Sequence, residues 1–446
     1  MIDNPSPAEP GDEPTATSAP ASPASLGRII AAGAVGVFVE YYDYAAYGLV
    51  AGTIAAIFFA PGDQTAALLL TYGIFAITFA VRPVGGIVLG HIADKLGRKS
   101  VMVFTLTMMA VATTLIGILP DYAAVGIAAP VLLLLLRLAQ GFSAGGEMGS
   151  AMSFVGEWSA PERRARNLAW VHVGSYVALF FGTLLAFVLN VGLGASAMAA
   201  WGWRVVFLIA APLGIIGFYI RSKLQETPSF KRLISTTEET RSPFREVVTT
   251  RGNDLAILRA ILVPILNGAG YYVLFTYMPT YLKTNLAFSA GDSLLVTLAG
   301  ISVCLVLIPV MGHLADRWGR RPMMLTSAIL TLLVTLPAYS LMTLGSTWTA
   351  VLGAVILAAS FSPQAGAVHT VLVELFATRV RTTGYSIGYN IATAIFGGAA
   401  PFIITWLISL TGSVASPAHF LMGTAVLSLI GLLILKESKG TVFTAN

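Results

Sequence analysis

The chain reads as an all-α membrane protein of twelve transmembrane helices arranged in two parallel six-helix repeats. Three observations predict this. Of 446 residues, 56% are hydrophobic and 11% charged, with a mean hydropathy of +0.80, so most of the chain must face lipid or other membrane helices. The length accommodates about twelve spans of roughly twenty residues with short connections. Finally, the decapeptide Gly90-His91-Ile92-Ala93-Asp94-Lys95-Leu96-Gly97-Arg98-Lys99 returns almost unchanged as Gly312-His313-Leu314-Ala315-Asp316-Arg317-Trp318-Gly319-Arg320-Arg321. A short basic segment recurring between apolar runs, near half the chain length away, is the mark of an internal repeat.

The elements follow in order. Residues 1–25 mix Pro5, Pro7, Pro10, Pro14, Pro20 and Pro23 with Ala, Ser, Asp and Glu and have no basic start. They are expected to form a disordered tail and not a signal peptide. Apolar runs then predict helices at 28–59, 67–91, 101–119, 124–157, 166–193, 202–222, 255–284, 289–312, 323–344, 347–376, 383–410 and 417–436. Runs longer than one span are expected to tilt or to project from the bilayer. The polar stretch 223–254 divides an N-terminal bundle, 26–222, from a C-terminal bundle, 255–436, with a short tail at 437–446.

Basic residues sort to one side of this array. Lys95, Arg98, Lys99, Arg163, Arg164, Arg166, Arg317, Arg320, Arg321, Arg379, Arg381, Lys436 and Lys439 fall there, as do Arg221 and the linker, whereas the opposite loops hold little beyond Lys283. By the positive-inside rule both termini and the linker are cytoplasmic and the protein sits in the cell membrane. The net charge of +5 therefore reports topology and no nucleic-acid partner. A second duplication, Glu157-Trp-Ser-Ala-Pro-Glu-Arg-Arg164 against Glu374-Leu-Phe-Ala-Thr-Arg-Val-Arg381, ends the fourth run of each half. The single cysteine, Cys304, lies in an apolar run and excludes an internal disulfide. His91, His172, His313, His369 and His419 show no metal spacing, and no phosphate loop or nucleophile constellation is present. No metal, no cofactor and no enzymatic activity are expected.

These residues carry a resemblance. The pattern G-x-x-A-D-x-x-G-R-[KR] between the second and third helix of each half resembles the signature of the major facilitator superfamily. Glu40-Tyr41-Tyr42-Asp43-Tyr44, Arg82-Pro83-Val84-Gly85-Gly86, Arg137-Leu-Ala-Gln140-Gly141-Phe-Ser-Ala-Gly145-Gly146-Glu147 and Trp201-Gly-Trp203-Arg204 resemble its metabolite:proton symporter family. Leu224-Gln-Glu-Thr-Pro-Ser-Phe230 and Gly270-Tyr-Tyr-Val-Leu-Phe-Thr-Tyr-Met-Pro-Thr-Tyr281 look most like the proline/betaine branch, although Tyr41 and Tyr44 stand where tryptophan and phenylalanine are usual there. The resemblance implies the major facilitator fold. It also implies a proton-coupled symporter that imports a small carboxylate-bearing metabolite by alternating access, a proline- or betaine-type osmolyte first. Di- or tricarboxylate and shikimate-like acids, or a non-transporting sensor on the same fold, are the alternatives. Partners are then the substrate, protons and the lipid bilayer, with a monomer expected.

Charges inside apolar runs mark the chemistry, because a charge at bilayer depth costs a few kcal/mol or more and needs a partner or a cavity. Gly33, Gly36, Glu40, Asp43 and Tyr47 share one face of the first helix. Two carboxylates there in low dielectric do not both ionise easily, so Glu40 and Asp43 are candidates for proton coupling; a structural pairing with Arg82 is the plain alternative. Arg82, read as near the cytoplasmic end of the second helix, suits a two-pronged grip on a substrate carboxylate or neutralises Glu40 or Asp43. Arg137, Gln140, Ala144 and Glu147 form another stripe. Arg137 has three readings: an anionic substrate, a helix-1 carboxylate, or an ion pair with Glu147. Candidate substrate-binding residues are Arg82, Arg137, Gln140, Tyr44, Tyr47, Asn267 and Tyr271. Asp94 and Asp316, read as loop residues, are either solvated charges or a conformational latch: Asp94 against the end of a neighbouring helix and Arg98 with Glu157, repeated as Asp316 with Arg320 and Glu374.

Overall fold

The computed structural model describes residues 23–62, 64–227, 230–231, 243–250 and 253–443. Among them, twelve helices are long and apolar enough to cross a membrane: α1 Leu26–Gly48, α2 Leu69–Leu96, α3 Arg98–Ile118, α4 Ala128–Trp158, α5 Pro161–Leu189, α6 Met198–Ser222, α7 Asn253–Thr276, α8 Ala290–Trp318, α9 Arg320–Met342, α10 Thr347–Glu374, α11 Arg381–Thr411 and α12 Ser416–Ile434. Most of the predicted disordered tail, 1–22, lies outside the described residues, while helix starts at Pro23. The predicted 28–59 run is two helices that meet at Val50.

Each repeat packs its six helices on one another, and the two repeats meet along a seam. The seam is formed chiefly by α2 against α11 and by α5 against α8, two pairs related by the same internal symmetry. Large apolar residues such as Leu135, Ile215, Leu333 and Trp406 remain exposed on the outer surface, where a bilayer supplies the apolar contact. Trp201, Trp318 and Trp348 are exposed near helix ends, as expected of residues at a membrane interface.

The duplicated motif differs from the expected loop. α2 runs to Leu96 and α3 starts at Arg98, and α8 runs to Trp318 and α9 starts at Arg320. The connection is a single glycine in each repeat, Gly97 at φ 102° and Gly319 at φ 110°, a backbone conformation that side chains rarely adopt. Asp94, Arg98, Asp316 and Arg320 are therefore helical and buried. Their charge made them look like loop residues, but buried partners hold them.

α7 is broken at Val263–Pro264, because proline lacks the N–H that a continuous helix requires. The Val263 carbonyl accepts from Gln364 Nε2 and Ser428 Oγ, both at 2.8 Å. Neighbouring helices thus supply the bonds that the break removes.

Candidate functional site

The five predicted intramembrane charges of the first repeat resolve into three ion pairs. Glu40 on α1 accepts from Arg82 Nη2 on α2 at 2.9 Å. Asp43, one turn further, accepts from Arg137 Nη1 on α4 and from Gln140 Nε2, both at 2.6 Å, with Thr113 Oγ1 of α3 at 2.9 Å. Glu147 pairs with Arg221 at the end of α6 and accepts a short hydrogen bond from Thr105. All six ion-paired groups are buried.

Two readings are corrected, those of Arg82 and Arg221, and of the three open for Arg137 the structure shows the helix-1 carboxylate. Arg82 lies midway along α2, not near its end. Arg137 faces Asp43, and the partner of Glu147 is Arg221. Arg221 itself is fully buried and not part of the solvated basic loops. It donates to Glu147 and to the carbonyls of Ala32 and Met102, tying α1, α3, α4 and α6 together. Gly36 makes room for it, since a Cβ built there would lie 1.7 Å from Arg221 Nη2. Gly36→Ala and Arg221→Met are each expected to destabilise the protein by about 3 kcal/mol or more, because each disrupts a buried pair. Thermal unfolding in detergent checks this. Adding Glu147→Gln to Arg221→Met should recover much of the loss; no recovery would remove the pair from the account.

The two carboxylates of α1 differ in how fully they are satisfied. Both oxygens of Asp43 are engaged. Glu40 keeps Oε2 without a hydrogen-bond partner, and so do Nε and Nη1 of Arg82 and the hydroxyls of Tyr44 and Tyr272. Buried polar atoms are rarely left in this condition. Aromatic rings enclose the group: the Arg82 guanidinium carbon lies 5.5 Å from the Tyr44 ring and 5.3 Å from Phe79, which packs at 5.1 Å on Tyr272 of the other repeat. Tyr41 reaches across the seam to Tyr389 through a 3.0 Å contact between hydroxyls, and to Tyr271 ring to ring at 5.0 Å.

The other predicted binding residues fall around this centre. Tyr47 belongs to the second pair: its ring lies 3.7 Å from the Arg137 guanidinium carbon and its hydroxyl donates to the Thr71 carbonyl. Tyr271 donates to the Ser175 carbonyl across the seam at 3.2 Å. Asn267 is buried on α7 with Oδ1 unpartnered. Phe79, Thr113 and Thr105 escaped the sequence reading. Thr105 and Thr113 are eight residues apart on α3 and so share a face, the one available signal.

At the basic end of the bundle Asp94 and Asp316 reach across the seam. Asp94 accepts from the backbone N–H groups of Thr382 and Thr383 at 3.3 and 2.9 Å and from Thr383 Oγ1 at 2.7 Å. These donors open α11, where unpaired N–H groups and the helix dipole favour an anion. Asp316 repeats the contact on α5, accepting from Ala165 N at 3.0 Å and Arg166 N at 2.9 Å. Arg98 lies 3.2 Å from Glu157 and Arg320 lies 3.3 Å from Glu374. Those two pairs lie within one repeat each; two others cross the seam, Arg381 with Glu157 and Arg164 with Glu374, each at 2.8 Å. At the opposite face a narrow cleft remains between Tyr47, Gly48, Tyr72, Phe75, Thr276 and Tyr277.

Two pseudo-symmetric helical bundles, with ion pairs buried inside the first and reciprocal contacts joining the two at one face, have the architecture of a two-bundle membrane transporter. The chain belongs to the Major Facilitator Superfamily, which residues 33–306 and 264–443 match. It is 34% identical to the proline/betaine transporter of Salmonella typhimurium over 93% of this chain and 84% of that one. It is 36% identical to the citrate-proton symporter of Salmonella typhi over 92% and 94% of the two chains. Identity to the ectoine/proline transporter of Corynebacterium glutamicum is also 36%, over 91% and 82%. Among solved structures, the proton:xylose symporter XylE bound to 6-bromo-6-deoxy-D-glucose superposes with a TM-score of 0.79 at 16% identity, covering 94% of this chain and 98% of that one; this likeness concerns the fold. The chain is thus a multi-pass membrane transporter and not an enzyme.

Asp94→Asn should shift the protein toward the state open at the basic face. As a latch, Asp94 would make its charge-assisted bonds only when that face is closed, each worth about 1.5–3 kcal/mol, so a shift of ten-fold or more is expected when they weaken. Asp316→Asn should act less strongly, having two donors from the partner helix in place of three. Transport slows, while intrinsic substrate affinity stays little changed. Cysteine accessibility on both faces, measured with equilibrium binding, tests this. Lost binding with unchanged accessibility would move Asp94 into the substrate site.

Proposed function

We propose that this transporter imports a small zwitterion of the proline or betaine type together with a proton across the plasma membrane, with its basic face in the cytoplasm and no bound cofactor. The observation that carries the reading is the pair of carboxylate–arginine couples on one face of α1, one closed and one half open. Arg82 Nε and Nη1 are free to grip a carboxylate, and Glu40 Oε2 with the tyrosine rings suits a cationic nitrogen. Glu40, Asp43, Arg82 and Arg137 sum to no net charge. A net-neutral substrate leaves that balance intact, whereas a tricarboxylate adds charge without a counter-ion.

The second couple supplies the coupling. A proton on Asp43 removes the charge that holds Arg137, which then loosens α1 from α4. Its exchange with either side of the membrane follows the movement of the seam, and the clasp at the basic face stabilises the outward-facing and occluded states. One chain forms the whole seam, so a monomer suffices.

The test is uptake by proteoliposomes of radiolabelled proline, betaine, citrate, 2-oxoglutarate and shikimate, with and without an imposed pH gradient. Gradient-dependent uptake of proline or betaine is expected. Uptake restricted to citrate would shift the reading to an organic-acid symporter. Specific binding without uptake of any of them would favour a sensor.

A further inference from the structure

The segment that follows α12 lies across the basic face as a strap. Glu437 accepts from the backbone N–H groups of Arg320 and Arg321, at 2.9 and 3.0 Å, at the start of α9. Ser438 Oγ donates to Glu374 Oε2 at 2.6 Å. The Thr441 carbonyl accepts from Arg164 Nη1 at 2.8 Å. These contacts deliver the Phe443 ring to two guanidinium carbons at once, 3.7 Å from that of Arg164 and 3.6 Å from that of Arg381. Arg164 belongs to α5 in the first repeat and Arg381 to α11 in the second. Each is ion-paired across the seam, to Glu374 and Glu157 respectively. One ring therefore rests on both cross-seam pairs.

A partial counterpart follows α6. Leu224, Glu226 and Thr227 match Leu435, Glu437 and Ser438 in type and spacing, with Gln225 opposite Lys436. Glu226 accepts from Lys99 N at the start of α3 at 3.1 Å, and Thr227 Oγ1 donates to Glu157 Oε2 at 2.6 Å. The aromatic partner there, Phe230, lies 4.9 Å from the guanidinium carbon of Arg98, in its own repeat. Only the C-terminal strap, among the described residues, places its ring on arginines from both halves.

We infer that the C-terminal strap is a lock on the seam, with Phe443 as the plug that must leave before the basic face opens. The ring attracts both guanidinium groups and displaces water from the ion pairs beneath it. A charge pair interacts more strongly with less water between and around it. Separation of the repeats draws Arg164 and Arg381 apart, so one ring no longer serves both. The contact exists in one state only and biases the equilibrium toward it. This inference rests on the seam being a moving gate, and not on the identity of the substrate.

The experiment uses the full chain in lipid nanodiscs with Cys304→Ala and a reporter, Val373→Cys, at a site buried where α10 meets Gly156 of α4. The rate of maleimide labelling reads opening of the basic face. Phe443→Ala is expected to raise that rate about five-fold, and a chain ended after Glu437 at least as much. Phe443→Trp, which keeps a ring over both arginines, should label like the parent. Asp94→Asn serves as the gate control. Faster labelling in Asp94→Asn with parental rates in Phe443→Ala and in the truncated chain would overturn the lock. Unchanged labelling in Asp94→Asn would overturn the moving-gate reading itself, and the lock with it.

Discussion

Asp43→Asn abolishes concentrative uptake, with accumulation falling to the level of empty vesicles, while substrate exchange at equal concentrations persists. The expectation follows from the geometry. Asp43 is the one carboxylate that engages Arg137, and Gln140 and Thr113 occupy its other oxygen. Asparagine preserves size and part of the hydrogen bonding, but it cannot gain or lose the proton that links substrate movement to the gradient. Breaking a buried pair costs about 3–5 kcal/mol, so the protein must first be shown to remain monodisperse and to bind substrate. Glu40→Gln should impair uptake without abolishing it, because Arg82 keeps its other donors for the substrate. Full gradient-driven accumulation by Asp43→Asn would exclude Asp43 from coupling.

Arg82→Lys should lose substrate binding nearly as completely as Arg82→Ala, by about a hundred-fold or more, a charged hydrogen-bonded contact being worth about 1.5–3 kcal/mol for each of two prongs. Lysine retains the charge and the pairing to Glu40, but an ammonium cannot present two parallel N–H groups to a carboxylate. Titration calorimetry on purified protein gives the affinity directly. Near-normal affinity in Arg82→Lys would reduce Arg82 to a generic counter-charge for Glu40.

The sequence carried the repeat, the number of spans and the residues of the central charges, because a charge inside an apolar run has few places to go. It marked Asp94 and Asp316 as well, since they recur with the same neighbours, and both make contacts to the facing repeat. It did not carry the pairing. Arg137 and Glu147 share a stripe on α4, yet they turn to Asp43 and Arg221 on other helices, and spacing along one helix says nothing of which helix lies beside it. Arg221 was hidden because a basic residue at the end of a span looks like the start of a loop. The motif connections looked longer than one glycine because charge was taken as a sign of solvent. The strap was hidden by chemistry divided among distant segments: Phe443 has meaning only once Arg164 and Arg381 are known to meet across the seam.

The central claim is that a proton travels with a zwitterion, the proton on Asp43 and the substrate carboxylate on Arg82. The most direct measurement loads proteoliposomes with a pH-sensitive dye, sets equal pH on both sides, clamps the membrane potential at zero and adds proline or betaine outside. The account predicts that the lumen acidifies as substrate enters, and that Asp43→Asn gives no acidification. Substrate entry with no pH change in the parental protein, or the same acidification in Asp43→Asn, would contradict it.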